Sequence, residues 1–154
     1  LGRNADLGAL NFYDAQLTNG VGIQQIEAQV IGSDEYFANA GSTNNGFIEA
    51  MYRDIVNREP DAGGEAFYIN LINETTQNNP SFTQAQVRTS VATNFLGQTE
   101  GIQDLITNFY VIYLNRSPDS GGMQFFTGEL QNNTPLQTVI NQFLGSTDEY
   151  FNNV

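Results

Sequence analysis

Three arginines stand at one fixed distance from an aspartate: Arg3 from Asp6, Arg58 from Asp61 and Arg116 from Asp119. Glycines follow each pair, as Gly8, Gly63-Gly64 and Gly121-Gly122. The chain carries only five basic residues, all of them arginine, against seventeen acids, so placing three of the five at one repeated position is a specific choice. A guanidinium is a planar fork of donors that matches a carboxylate, and each arginine is expected to clamp its aspartate at a corner of the backbone. The same groups could instead offer donors and acceptors to a sugar, or carboxylates to a cation. Glycine costs about 1 kcal/mol relative to alanine inside a helix. These glycines are therefore predicted to admit a close neighbour, whether a second helix or a ligand, or to supply a positive φ. Packing is the first reading, because a motif rebuilt in every repeat usually defines the repeat. A ligand corner is the second.

Other chemistry is missing. Histidine and cysteine are absent, which removes the usual general bases, thiol nucleophiles and transition-metal ligands. No phosphate-binding glycine loop and no nucleophile elbow is present. A pair of hydrolytic carboxylates is formally open, but the acids recur at helix starts, where capping accounts for them. The chain is expected to be no enzyme, to have no catalytic residue and to need no cofactor. Calcium is the one ion an Asp-rich corner could take, although no EF-hand spacing occurs.

Charge narrows the partners. A net charge of −12 over 154 residues repels phosphate backbones and anionic lipid, so nucleic acid is not expected. No apolar run approaches the length of a membrane span. Nineteen asparagines and thirteen glutamines supply much of the polar surface. Together with the missing cysteine, this composition suits a bacterial protein that is extracellular or on the cell surface. The chain starts without methionine or signal peptide and reads as an excised or mature piece.

The corner is part of a longer repeat. Laying Leu1–Ser33 over Leu114–Ser146 without a gap gives eleven identities, and the match resumes as Asp34–Phe37 over Asp148–Phe151. A middle copy aligns Asn57–Gly64 with Asn115–Gly122 and Val91–Gly97 with Val139–Gly145. Its insertion, Glu74–Pro80, is rich in Thr, Asn and Gln and reads as a loop.

Each copy is expected to hold three helices. Helix A shows apolar pairs at helical spacing, Phe47/Ile48, Met51/Tyr52 and Ile55/Val56, and recurs as Leu105–Leu114. Helix B follows the corner, roughly over Gly64–Asn73 and Gly122–Gln131. Helix C carries Ile23, Ile26, Val30 and Ile31, matched by Leu136, Val139, Ile140, Phe143 and Leu144. The first copy has no helix A. Pro60 and Pro118 are predicted at the first helical position, with Ser117 and Asn4 as natural N-caps just before that position and Glu59 a poor one, and with the aspartates in the first turn. The fold class is all-α: stacked three-helix repeat units, divided as 1–45 (a partial unit lacking its first helix), 46–101 and 102–154.

At the corner, Tyr52–Phe67 and Tyr110–Phe126, and in part Leu1–Phe12, resemble the repeats of the bacterial domain of unknown function 4214. Its motif reads approximately Tyr-x-x-x-Leu-Gly-Arg-x-Pro-Asp-x-x-Gly-Leu-x-Tyr/Phe-Trp and closes near Phe-x-Gly-Ser-x-Glu-Tyr, as do Gly32–Tyr36 and Gly145–Tyr150 here. Asn57 and Asn115 replace the motif glycine, and the tryptophan is missing. The resemblance implies a module of large secreted, surface-layer or adhesin-like proteins that attaches to surface polysaccharide or lipopolysaccharide. A neighbouring surface protein is the alternative partner, because the helical pattern is also similar to phycobilisome linker domains. The resemblance names no binding residue.

Overall fold

A computed structural model describes residues 3–132 and 134–145. Nine helices and no strand occur among the described residues: α1 (Leu7–Thr18), α2 (Ile23–Gly32), α3 (Asp34–Asn39), α4 (Asn44–Val56), α5 (Ala62–Asn78), α6 (Gln84–Leu96), α7 (Thr99–Leu114), α8 (Ser120–Gln131) and α9 (Leu136–Gly145). The protein is all-α. None of these helices is long and apolar enough to cross a membrane. In terms of the repeat, α4 and α7 are helix A, α1, α5 and α8 are helix B, and α2, α6 and α9 are helix C. The second Asp-Glu-Tyr-Phe segment, Asp148–Phe151, lies outside the described residues.

Most helix starts are written by local capping. Side chains of Asp6, Ser33, Thr43, Asp61 and Asp119 each accept a backbone N–H from the first turn of the helix that follows. Ahead of α6, Thr83 and Gln86 bond reciprocally: the Thr83 N–H donates to Gln86 Oε1 at 2.8 Å and the Gln86 N–H to Thr83 Oγ1 at 3.2 Å. That is a capping box, which satisfies two donors the helix leaves open.

Contacts divide the chain into two compact units, Leu1–Leu96 and Gly97–Val154. In the first unit, α4 buries Phe47, Ile48, Met51, Tyr52 and Ile55, with Val56 half-buried, as its paired apolar spacing requires. α2 and α6 approach closely. Ala28 is fully buried on α2, and a Cβ at Gly32 would run into the backbone of Thr89, lying 2.7 Å from its Cα. The first two sequence copies therefore share one core. In the second unit, α7 and α9 pack Ile106, Phe109, Val139 and Phe143 together with α8, and Phe126 stacks on Phe143 with ring centroids 4.2 Å apart.

Two local expectations need correction. The insertion is not a loop over Glu74–Pro80: α5 continues to Asn78. Its polar residues bond along the helix, Thr76 Oγ1 donating to the Ile72 carbonyl at 2.8 Å and Asn79 Nδ2 to the Thr75 carbonyl at 3.0 Å. The apolar stripe of α2 is narrower than its sequence suggests, since Ile31 is buried while Ile26 and Val30 are half-buried and Ile23 is exposed.

Candidate functional site

The corner begins where helix A stops. Asn57 and Asn115 end α4 and α7 in the left-handed region, with φ of 50° and 49°. Asparagine is one of the few non-glycine residues that tolerate this conformation. This accounts for the replacement of the motif glycine at both places. The chain then turns, and the Arg58 and Arg116 N–H groups reach back to the Tyr52 and Tyr110 carbonyls at 3.4 and 3.3 Å.

The aspartates are the N-caps themselves. Asp6 Oδ1 accepts the Ala9 N–H at 2.8 Å, Asp61 Oδ1 the Gly64 N–H at 2.7 Å, and Asp119 Oδ1 the Gly122 N–H at 2.8 Å. Pro60 and Pro118 consequently sit one residue before the cap, not at the first helical position, and Ser117 and Asn4 are not caps. The physical reason is competition: a carboxylate accepts a first-turn N–H directly, while a proline ahead of it still benefits the turn by fixing its own φ. These bonds hold the Asp6 and Asp119 carboxyls below the ordinary value of 3.8, with the neighbouring arginine as a smaller cause.

The arginines do more than clamp. Arg3 and Arg116 reach Asp6 and Asp119 at 3.6 and 3.5 Å. Each of the three guanidinium groups also donates through Nη1 to the next backbone carbonyl, Asn4, Glu59 or Ser117, at 3.0, 3.0 and 3.2 Å. Arg58 and Arg116 lie over the rings of Tyr52 and Tyr110, 4.8 and 4.6 Å from the centroids. Arg3 instead takes Glu35 in a two-pronged bond, Nη2 to Oε2 at 2.7 Å, which holds the Glu35 carboxyl below its usual range.

The glycines divide into two kinds. A Cβ on Gly64 or Gly122 would overlap the hydroxyl of Tyr52 or Tyr110 and come within 3.2 or 3.0 Å of Cζ. Close packing by helix A explains that pair. Gly8, Gly63 and Gly121 face only the oxygen of their own N-cap, at 3.2, 3.2 and 3.4 Å. No other element approaches them.

A further feature of the surface escaped the sequence reading. Aligning the three corners leaves four residue types identical in every copy: Arg, Asp, the first Gly, and a phenylalanine four residues beyond it. Those phenylalanines, Phe12, Phe67 and Phe125, are 59%, 52% and 56% exposed. Each ring meets the edge of the next aromatic along the chain, Tyr13, Tyr68 or Phe126, at 5.2, 4.9 and 5.1 Å. On a helix, a side chain leans over the turn before it, and in each copy that turn holds the uncrowded glycine, four residues back. The signal was in the alignment, where the same phenylalanine recurs four residues after the first glycine of each copy.

Arg88 was also missed. It is 4% exposed, donates through Nε to the Gly32 carbonyl at 3.1 Å, bonds Asp34 through Nη2, and lies over the Phe37 ring at 4.4 Å. It therefore closes the C-terminus of α2 and the start of α3 from within unit 1.

Among the described residues no three potential metal ligands of the His, Cys, Asp or Glu type come together. No curated protein and no solved structure matches the chain. The family model described as "Domain of unknown function (DUF4214)" matches residues 27–105, from α2 into α7 and through the second corner. With half of its length matched in this way, and the corner built as described, the chain belongs to the DUF4214 family.

Proposed function

We propose that this protein is an extracellular attachment module, without catalysis of its own, that binds a bacterial surface polysaccharide or the sugar portion of lipopolysaccharide. The observation that carries the reading is the phenylalanine exposed at the same place in all three copies. A solvent-facing ring costs solubility and adds no core, so its recurrence four residues beyond an uncrowded glycine is better explained by a ligand than by folding. A pyranose offers an apolar C–H face to such a ring and hydroxyls to its surroundings. Asp6 Oδ2 and Asp119 Oδ2, 3.6 and 3.5 Å from the arginines, are acceptors in the same corner. Three equivalent corners suit a polymer of repeating units, for which several weak contacts add.

The test is binding of the full chain to an array of bacterial O-antigen and capsular polysaccharides, with and without chelator. The Phe12→Ser/Phe67→Ser/Phe125→Ser variant should keep its helical circular dichroism and lose affinity at least about tenfold, or roughly 1.4 kcal/mol. Loss on chelation would add calcium to the contact. Absence of binding to any surface polysaccharide, or equal binding by the triple variant, would overturn the reading.

A further inference from the structure

α1 presents an apolar face that its counterparts cover. Leu10 is 54% and Leu17 49% exposed, and no residue of α1 is buried. The residue equivalent to Leu17 in α5 is Ile72, only 3% exposed; in α8 it is Leu130, packed against the unit's core, as is Met123, the counterpart of Leu10. The difference lies in the neighbours. α5 packs between α4 and α6, and α8 between α7 and α9, whereas α1 has α2 as its substantial partner. Polar groups join α1 to α2, the Gln16 and Gln29 amides bonding reciprocally at 3.0 and 2.9 Å, while just ahead of α1 Arg3 bonds Glu35 of α3.

We infer that the bare face of α1 is the seat of a helix of the α4/α7 kind, supplied by a further repeat unit of the same family. The repeat itself identifies the occupant, because helix A covers this face in both other copies. A second copy of this chain is disfavoured by the same geometry: α4 and α7 already spend their apolar faces on the cores of their own units. The seat also differs in one detail. Ala9 stands where Gly64 and Gly122 make room for a tyrosine hydroxyl, so the occupant carries phenylalanine, not tyrosine, at that point. This inference is independent of the glycan reading.

The test places an added copy of Thr99–Tyr113 directly ahead of Leu1 in the full chain, since Leu1 aligns with Leu114. Amide exchange is then followed in α1. With Tyr110→Phe in the added helix, α1 amides should exchange at least about tenfold more slowly than in the unextended chain. With tyrosine retained, protection should be weaker, and Ala9→Gly should restore it. An added helix with asparagine at the positions of Ile106, Phe109 and Tyr110 should protect nothing. Unchanged exchange in α4–α6 verifies that unit 1 is folded in every version. Failure of the phenylalanine version to protect α1, or equal protection by the asparagine version, overturns the assignment. So would an unextended chain that is dimeric with α1 already protected, if Leu10→Asp both dissociates it and exposes α1.

Discussion

Alanine at Gly121 and alanine at Gly122 should shift stability in opposite directions, although the two glycines are adjacent in one helix turn. At Gly121 the new Cβ meets only Asp119 Oδ1, at the ordinary contact distance of 3.4 Å. Alanine should therefore stabilise by up to about 1 kcal/mol, through helix propensity and a less flexible unfolded chain. At Gly122 the same gain is opposed by overlap with the Tyr110 hydroxyl. Tyr110 has little freedom to retreat: it is 4% exposed, its ring meets Phe143 at 5.0 Å and Phe126 at 6.2 Å, and Arg116 covers one face. Overpacking of this kind costs about 1–3 kcal/mol, so the net change should be a loss of up to about 2 kcal/mol. Urea denaturation of the full chain, followed by circular dichroism through the transition of the second unit, measures both variants. Tyr110→Phe provides the decisive cycle. With the hydroxyl gone, Gly122→Ala should cost less than it does alone, after the effect of Tyr110→Phe itself is subtracted. If Gly122→Ala stabilises as much as Gly121→Ala, the close-packing account of the second glycine is wrong.

Two further outcomes follow from the same geometry. The Asp6 and Asp119 carboxyls are held below 3.8 in the folded chain by backbone N–H donors, so the unfolded chain takes up protons first as pH falls. Their contribution is complete above about pH 4 and is lost as pH drops through the depressed folded values; urea midpoints should decline below pH 4 in the natural chain and decline less in the Asp6→Asn/Asp119→Asn variant. Arg88→Ala should lower the stability of the first unit by about 3 kcal/mol, because it leaves the buried carbonyl end of α2 without its donor; a melt within 1 °C of the natural chain would show the bond to Gly32 to be dispensable.

What could be read from the sequence was whatever repeats locally. The paired spacing of Phe47/Ile48 and Met51/Tyr52 specifies a helix with one wet side, and α4 has it. The Arg–Asp–Gly corner was visible as a pattern, but its mechanics were not, because two local rules compete there. A proline at a helix start suggests the first helical residue, while an aspartate suggests the cap, and only the Gly64 and Gly122 N–H bonds decide. Which glycine of each pair is crowded depends on a tyrosine twelve residues earlier, beyond any local rule. The Asn- and Thr-rich insertion misled for the opposite reason: its composition is that of a loop, yet Leu71 and Ile72 anchor a helix that carries it past its own weak propensity. Arg88 was out of reach because its meaning depends on α2, which lies 56 residues away in sequence at Gly32.

The tight seam between Gly32 and Thr89 bears on how such chains can be rearranged. α2 belongs to the first sequence copy and α6 to the second, so the period of the sequence repeat is not the period in which the polypeptide folds. A crossover or proteolytic cut after residue 45 would part α2 from the helix against which Ala28 and Gly32 are fitted, exposing both sides of a contact too close for any other residue at Gly32. A junction at Leu96–Gly97 separates the two compact units and spares that seam. Shuffling of these repeats among proteins should therefore leave its scars at the latter boundary and keep the first two copies travelling together.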